Sequence, residues 1–386
     1  MNFREKDNTQ KTKLKDRAII LMKSNRKIST INLLIVIIIF FGVFLVTGRN
    51  LGFTEIGNNG YESLKDSGGK ITFTGDVSPS RYLKEVSEKN GHDIYYKDIK
   101  NIWEDSDISL INLEASALTQ DPEEVEYINV NESEGIYFDV NKEDIKAIKD
   151  SGINLIGYAN NHSMSYGVQG MEESLKIFQD EEIEYIGAGK DIYEAIEPYT
   201  KEINKEKVGI MAISDIIMKG TRATTNIPGI NGTSYMHRDY ELEKMIRKND
   251  FNIVYIHWGT EYVLKPTKEI KELGRELIDM GVDLVVGSHP HVLLPVEKYN
   301  DGMIIYSMGN LVFDQKTGRT TDSAIANLYL DDNGKFFEFV PIDIQNGIPH
   351  VTDKKRTVNR IFKSLTKELD KEDYKIEDNK LIINFE

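Results

Sequence analysis

A layered α/β domain behind a single membrane-spanning helix is what this sequence predicts, and three observations predict it. From residue 70 onward, apolar runs of strand length alternate with helix-like stretches; most of these runs end on an acid, an amide or a histidine; and one long apolar stretch lies near the N-terminus. The alternation implies parallel strands covered by helices on both faces. Chemistry-bearing residues at strand exits sit where open α/β sheets place their sites.

Residues 1–28 carry Arg4, Lys6, Lys11, Lys13, Lys15, Arg17, Lys23, Arg26 and Lys27 against Glu5, Asp7 and Asp16. Residues 29–48 follow and are apolar from Ile31 to Val46 but for Asn32. About 20 helical residues span roughly 30 Å, the thickness of a bilayer core. The positive-inside rule keeps the basic end cytoplasmic, so the expectation is a single-pass protein of the cell membrane with its large domain extracellular. A cleaved signal peptide is the alternative. Against it, the apolar core exceeds the usual ~7–15 residues, and Thr47-Gly48-Arg49-Asn50 makes a poor cleavage site. Residues 49–69, rich in Gly, Asn and Ser, read as a linker.

The whole chain of 386 residues has 48 Lys and Arg against 63 Asp and Glu; without the first 49 residues, 38 basic face 60 acidic, a net of −22. Such a surface repels nucleic acid, and an anionic substrate needs local capture by a metal or a particular basic residue. There is no cysteine, which excludes disulfides, thiolate zinc sites and cysteine nucleophiles.

Lys70–Thr74 is the first strand, ending at Gly75-Asp76. Asp76 is a candidate ligand there, or else a cap for a helix from Pro79 to about Lys89. Asp107–Leu113 is strand-like and exits at Glu114, and residues 120–135 form an acidic excursion. Asn141–Asp144 carries a helix-capping pattern, and the helix feeds the strand Ile153–Gly157. That strand delivers Asn160, Asn161 and His162, which offer carboxamide and imidazole donors or plain turn chemistry. A helix over Gly170–Asp180, a strand over Ile183–Ile186 and a turn at Gly187-Ala188-Gly189 follow. Val208–Ile213 is another strand, residues 216–238 a long surface loop, and Asp239–Asn249 a polar helix.

Phe251–Ile256 exits at His257-Trp258, either a ligand position or a packed aromatic pair. The helix Thr267–Met280 leads to the strand Val282–Val286 and then Gly287-Ser288-His289-Pro290-His291. If that backbone is extended, the two imidazoles share a face and converge on one point, which is metal-ligand spacing. Hydrogen-bonded surface histidines are the alternative. Met303–Met308 exits at Asn310, and strands at Ala324–Leu330 and Phe336–Ile342 flank a hairpin turn at Asp331–Gly334. The tail from Lys354 reads as a peripheral helix and strand. His92, His237 and His350 fall outside strand exits and are expected to be structural.

The exits gather Asp76, Glu114, Asn161, His162, His257, His289 and His291 as candidate metal ligands, more donors than one ion needs. The mixture suits two divalent ions, Mn, Zn, Fe or Mg. Asp76 and His162 are also the candidate catalytic residues. Asn160, Trp258, Glu261, Asn310 and Arg319 are the candidate substrate-binding residues.

The blocks Phe73-Thr74-Gly75-Asp76, Asn112-Leu113-Glu114, Ala159-Asn160-Asn161-His162, His257-Trp258-Gly259, Gly287-Ser288-His289-Pro290-His291-Val292 and Tyr306-Ser307-Met308-Gly309-Asn310 together resemble the CapA/PgsA family of poly-γ-glutamate capsule biosynthesis proteins. The resemblance runs from about residue 70 to 345, leaving residues 346–386 as a C-terminal extension. It implies an α/β/β/α sandwich similar to the metallo-dependent phosphatases. It further implies an outward-facing, membrane-anchored subunit of a poly-γ-glutamate synthase, working on the polymer chain with a cytoplasmic ATP-dependent ligase-like subunit and a multi-spanning membrane subunit. This chain departs from the family pattern at Val77–Ser80, Ala115-Ser116 and Ser165, the last standing where an Asp is common. An exported metal-dependent phosphoesterase and a pseudoenzyme scaffold are the other two readings.

Overall fold

Long runs of β-branched and aromatic residues become strands buried on both faces, and the amphipathic segments between them become the covering helices. The computed structural model describes residues 68–122, 127, 136–232, 235–331 and 334–385, without the side chains of residues 235–238. The basic N-terminal segment, the expected membrane helix, nearly all of the linker, most of the acidic excursion, the tip of the last hairpin and the side chain of His237 lie outside the described residues. Among the described residues no helix is long and apolar enough to cross a membrane.

In chain order the main elements are β1 (Gly69–Val77), α1 (Tyr82–Asn90), β2 (Ile108–Leu113), α2 (Lys142–Asp150), β3 (Leu155–Gly157), α3 (Gly167–Asp180), β4 (Glu184–Ile186), β5 (Tyr199–Ile203), β6 (Glu206–Ser214) and α4 (Tyr235–Lys248). They continue with β7 (Phe251–His257), α5 (Lys268–Asp279), β8 (Leu284–Ser288), β9 (Val296–Tyr299), β10 (Gly302–Ile305), β11 (Asn310–Val312), β12 (Asp322–Asp331), β13 (Gly334–Gln345), β14 (Ile348–Val351), α6 (Lys355–Leu365), β15 (Tyr374–Glu377) and β16 (Lys380–Asn384).

A ten-stranded sheet runs β15-β16-β13-β12-β1-β2-β3-β4, with β11 beside β1 and β14 beside β13; a six-stranded sheet runs β9-β10-β8-β7-β6-β5. β1 to β4 are parallel neighbours in the first sheet, as are β6, β7, β8 and β10 in the second. The sheets face each other. Alternate residues Ile71, Phe73 and Leu110 of the first share one apolar core with Ile210, Ile253, Val286 and Ile305 of the second. The opposite faces pack outward: Ile111 and Ile156 meet Ile148 and Phe178 of α2 and α3, while Met211, Val254 and Ile304 meet Met245 and Leu277 of α4 and α5. Period two thus builds three apolar layers from one set of strands.

Helix starts follow local chemistry. The capping box before α2 forms as its sequence predicts: Asn141 Oδ1 accepts from the Asp144 N–H at 2.9 Å, and Asp144 Oδ2 accepts from the Asn141 N–H at 3.0 Å. α1 begins at Tyr82 rather than Pro79, because Arg81 holds φ at 55° and interrupts helical backbone just before it. Asp76 caps no helix and belongs to β1. Within the expected loop 216–238, Gly229–Ile230 pairs with Ala188–Gly189, so the glycine turn is itself a short strand.

The tail is not peripheral. Val358, Ile361, Phe362 and Leu365 of α6 are buried in the core between the sheets, and β16 pairs with β13.

Candidate metal centre

Five strand exits build the site. β1 brings Asp76 level with Asn112 of β2 and Asn310 of β11. Gly75 permits that approach, since a Cβ there would stand 2.1 Å from the Gly309 carbonyl oxygen. Glu114 follows β2, and past β3 the chain turns through Asn160, Asn161 and His162. Asn160 holds that turn: its Nδ2 donates to Leu113 O at 2.8 Å and to Asn112 Oδ1 at 3.1 Å, and its Oδ1 accepts from the His162 N–H at 3.0 Å. In the second sheet, His257 ends β7 level with Ser288 of β8, and His289 and His291 follow.

The backbone of His289-Pro290-His291 is not extended as expected. Its two histidines have φ of 93° and 55°, a region that costs about 1–3 kcal/mol per residue and persists only when surroundings impose it. Here they do: the His289 N–H donates to Asp76 Oδ2 at 3.2 Å, and Pro290 O accepts from the Tyr262 N–H at 2.9 Å. A Cβ at Gly287 would stand 2.3 Å from Tyr306 O and 2.4 Å from Trp258 Nε1, so only glycine lets this strand end pack.

Two groups of donors form, Asp76 with Glu114 and His257, and Glu114 with His289 and His291; within each group the donor atoms lie within 4.8 Å of one another, and all five residues are buried. Glu114 is common to both. Asn161 extends the first group, with its Oδ1 2.7 Å from His257 Nε2. Neighbouring donors on an ion with bonds of ~2.0–2.2 Å stand about 3 Å apart, so that pair suits coordination. Nδ1 of His289 is buried without a hydrogen-bond partner among the described residues, a cost that a metal would remove. These residues fit a divalent metal.

Supporting contacts fix the donors. Asn112 Nδ2 donates to Asp76 Oδ1 at 2.8 Å and reaches His257 Nδ1 at 3.3 Å, with Ser288 Oγ 3.1 Å from the same nitrogen. Asn310 Oδ1 lies 2.9 Å from His291 Nδ1. His291 Nδ1 is 3.3 Å from Asp76 Oδ2, and its Nε2 3.7 Å from Glu114 Oε1. His162 stands outside both donor groups, its Nε2 3.9 Å from Glu114 Oε1 and its Nδ1 3.2 Å from Ser165 Oγ. Ser165 therefore touches the far nitrogen of His162 and replaces no atom of either group.

Burial holds His162 and His289 down at about 3, and the charge on His291 acts the same way. His257 is pushed down by burial and by His289. His291 goes the other way: burial opposes its charge, yet Glu114 and Asp76 carry it up to about 9. Neutral imidazoles are the form that binds metal, and the His291 proton is one that a metal would displace.

The remaining expectations divide. Glu261 lies on the wall of a cleft of about 560 Å³ into which His162 and His291 open. Asn160 and Asn310 are buried and hold other side chains. Trp258 cannot touch a substrate: it is fully buried, stacked on Tyr306 at 5.9 Å, and its Nε1–H donates to Tyr306 O at 2.9 Å. Arg319 turns to Asp322 at 3.3 Å and to Ser364 of α6 at 3.1 Å, away from the cleft. Sequence reasoning missed Arg81, Tyr82 and Phe138 on the cleft wall. Only Arg81 left a usable signal, a lone cation just past a strand exit in an acidic chain.

Residues 70–315 match the family model described as bacterial capsule synthesis protein PGA_cap. The chain is 31% identical to the capsule biosynthesis protein CapA of Bacillus anthracis, covering 78% of this chain and 74% of that one. It is 33% identical to the PGA biosynthesis protein CapA of Bacillus subtilis (strain 168), covering 82% of each. Among solved structures, the 5'-nucleotidase of Candida albicans SC5314 aligns with a TM-score of 0.42 at 12% identity, over 78% of this chain and 58% of that one.

Proposed function

The chain belongs to the bacterial capsule synthesis protein PGA_cap family, and from that premise we propose that it is the membrane-anchored, outward-facing subunit of a poly-γ-glutamate synthase complex, needed to make or export the capsule polymer. The observation that supports this most is the reach of the likeness to two chains named for capsule and PGA biosynthesis, which spans most of both partners. The anchor is residues 29–48, the basic end before it is cytoplasmic, and the partners are a cytoplasmic ATP-dependent ligase-like subunit and a multi-spanning subunit. The facing sheets with helices outside agree with the α/β/β/α sandwich of the metallo-dependent phosphatases, and the shared Glu114 with a pair of ions. Bound there, divalent metal would supply an activated water and charge neutralisation at an anionic oxygen. Asp76, Glu114, Asn161, His257, His289 and His291 would hold it, leaving His162 to hold or move a proton at its Nε2.

Deleting the coding sequence in the native host should abolish cell-bound polymer, with full recovery from the intact chain and none from a chain lacking residues 29–48. Unchanged polymer in the deletion strain would refute the reading. A second reading, an exported metal-dependent phosphoesterase, is favoured by the buried donor groups. It requires the intact chain loaded with Mn²⁺ to cleave an aryl phosphate and Asp76→Ala to lose that activity.

A further inference from the structure

We propose that Arg81 is the anion clamp at the mouth of the metal cleft, and that it takes the α-carboxylate of a γ-linked glutamyl unit in competition with Asp314. The identity of the anion rests on the capsule-polymer reading; the clamp rests on geometry.

Among the described residues lining the cleft, Arg81 is the one permanently cationic side chain. The chain carries a net charge of −15 and repels polyanions at long range, so a polymer with one carboxylate per unit needs a local cation. Arg81 is built to be that cation. Its backbone sits at φ 55° and ψ −123°, a conformation that residues with a Cβ rarely adopt, just before α1 begins. The side chain lines the cleft, where the guanidinium lies over the Phe138 ring, 4.6 Å from its centroid. Phe138 in turn packs on His162 at 4.3 Å, tying the clamp to the metal centre.

Asp314, from the segment after β11, pairs with Arg81 across the cleft mouth. Arg81 reaches solvent from this pair while Asp314 is partly covered, the side chains being 40% and 17% exposed. Such pairs exchange easily, and a planar guanidinium suits a carboxylate bidentately. In a γ-linked chain the free carboxylate of every unit is the α-carboxylate, which is what the fork would grip. Lys316 Nζ stands over the neighbouring Tyr82 ring at 4.3 Å, a second cation for the next unit along the rim.

The test is calorimetric titration of the full chain in detergent with a γ-glutamyl pentapeptide and, separately, with inorganic phosphate. Arg81→Gln should weaken pentapeptide binding about tenfold or more and Arg81→Lys less, because the point charge stays and the fork is lost. Asp314→Asn should tighten pentapeptide binding by about threefold or more, since it removes the competing carboxylate. The inference is overturned if Arg81→Gln and Asp314→Asn both bind the pentapeptide like the natural chain, or if Arg81→Gln weakens only phosphate. Should Arg81→Gln fail to fold, Asp314→Asn decides alone. Polymer loss on gene deletion is scored separately, so the capsule reading can stand while the clamp falls.

Discussion

The floor and the mouth of the cleft are built on opposite principles. On the floor, Asp76, Glu114, His257, His289 and His291 come from strand ends and are buried, and amide or hydroxyl neighbours fix Asp76, His257 and His291. At the mouth, Arg81, Tyr82, Glu261 and Tyr262 come from loops or loop edges and are exposed or partly so. Such a floor would set which ion and which bond geometry the site accepts, and a mouth built from loops would set which molecule reaches it. Holding ligands on sheet edges and selectivity on loops lets one change without the other.

That contrast can be broken at several points. The largest effect belongs beneath the floor: Trp258→Ala empties a fully buried ring site, and chemical denaturation should register a loss of about 3–5 kcal/mol. Tyr262→Ala at the exposed mouth should stay within about 0.5 kcal/mol. Equal losses would erase the distinction. Next comes Glu114→Gln, which should lower metal affinity in equilibrium dialysis by about a hundredfold, because a shared carboxylate serves both donor groups. Asn310→Ala, which reaches the donor groups through His291, should cost about tenfold.

The same floor predicts a pH dependence in metal-free protein. His291 is raised to about 9, so its charge stabilises the fold fully below its ordinary value near 6.5, and the contribution is lost as pH rises through 9. The Tm difference between the natural chain and His291→Gln, followed by calorimetry, should therefore shrink from pH 6.5 to 9. A difference that stays flat across that window would remove the ion-pairing of His291 with Glu114 and Asp76.

Much of the floor is legible in the sequence. Asp76, Glu114, His257, His289 and His291 each end an apolar run, and in parallel strands such ends share an edge. The helical spacing of Val358, Ile361, Phe362 and Leu365 was present as well, but the surrounding charges disguised a segment that lies in the main core. Trp258 and Arg319 were misread because residue type does not report direction: the first points into the protein, the second toward α6. Arg81 went unseen because its role depends on Phe138 and Asp314, 57 and 233 residues further along the chain.

Apolar runs alternating with helix-like stretches, the absence of cysteine and the chemistry of the strand ends were enough to determine a layered α/β domain with nitrogen and oxygen donors on one edge. These are local properties, written by periods of two and 3.6 residues. Tertiary structure alone decided which donors share Glu114, which histidine keeps its proton and which cation faces the cleft. Those outcomes depend on distances between segments far apart in the chain, and burial changes the strength of each interaction they make.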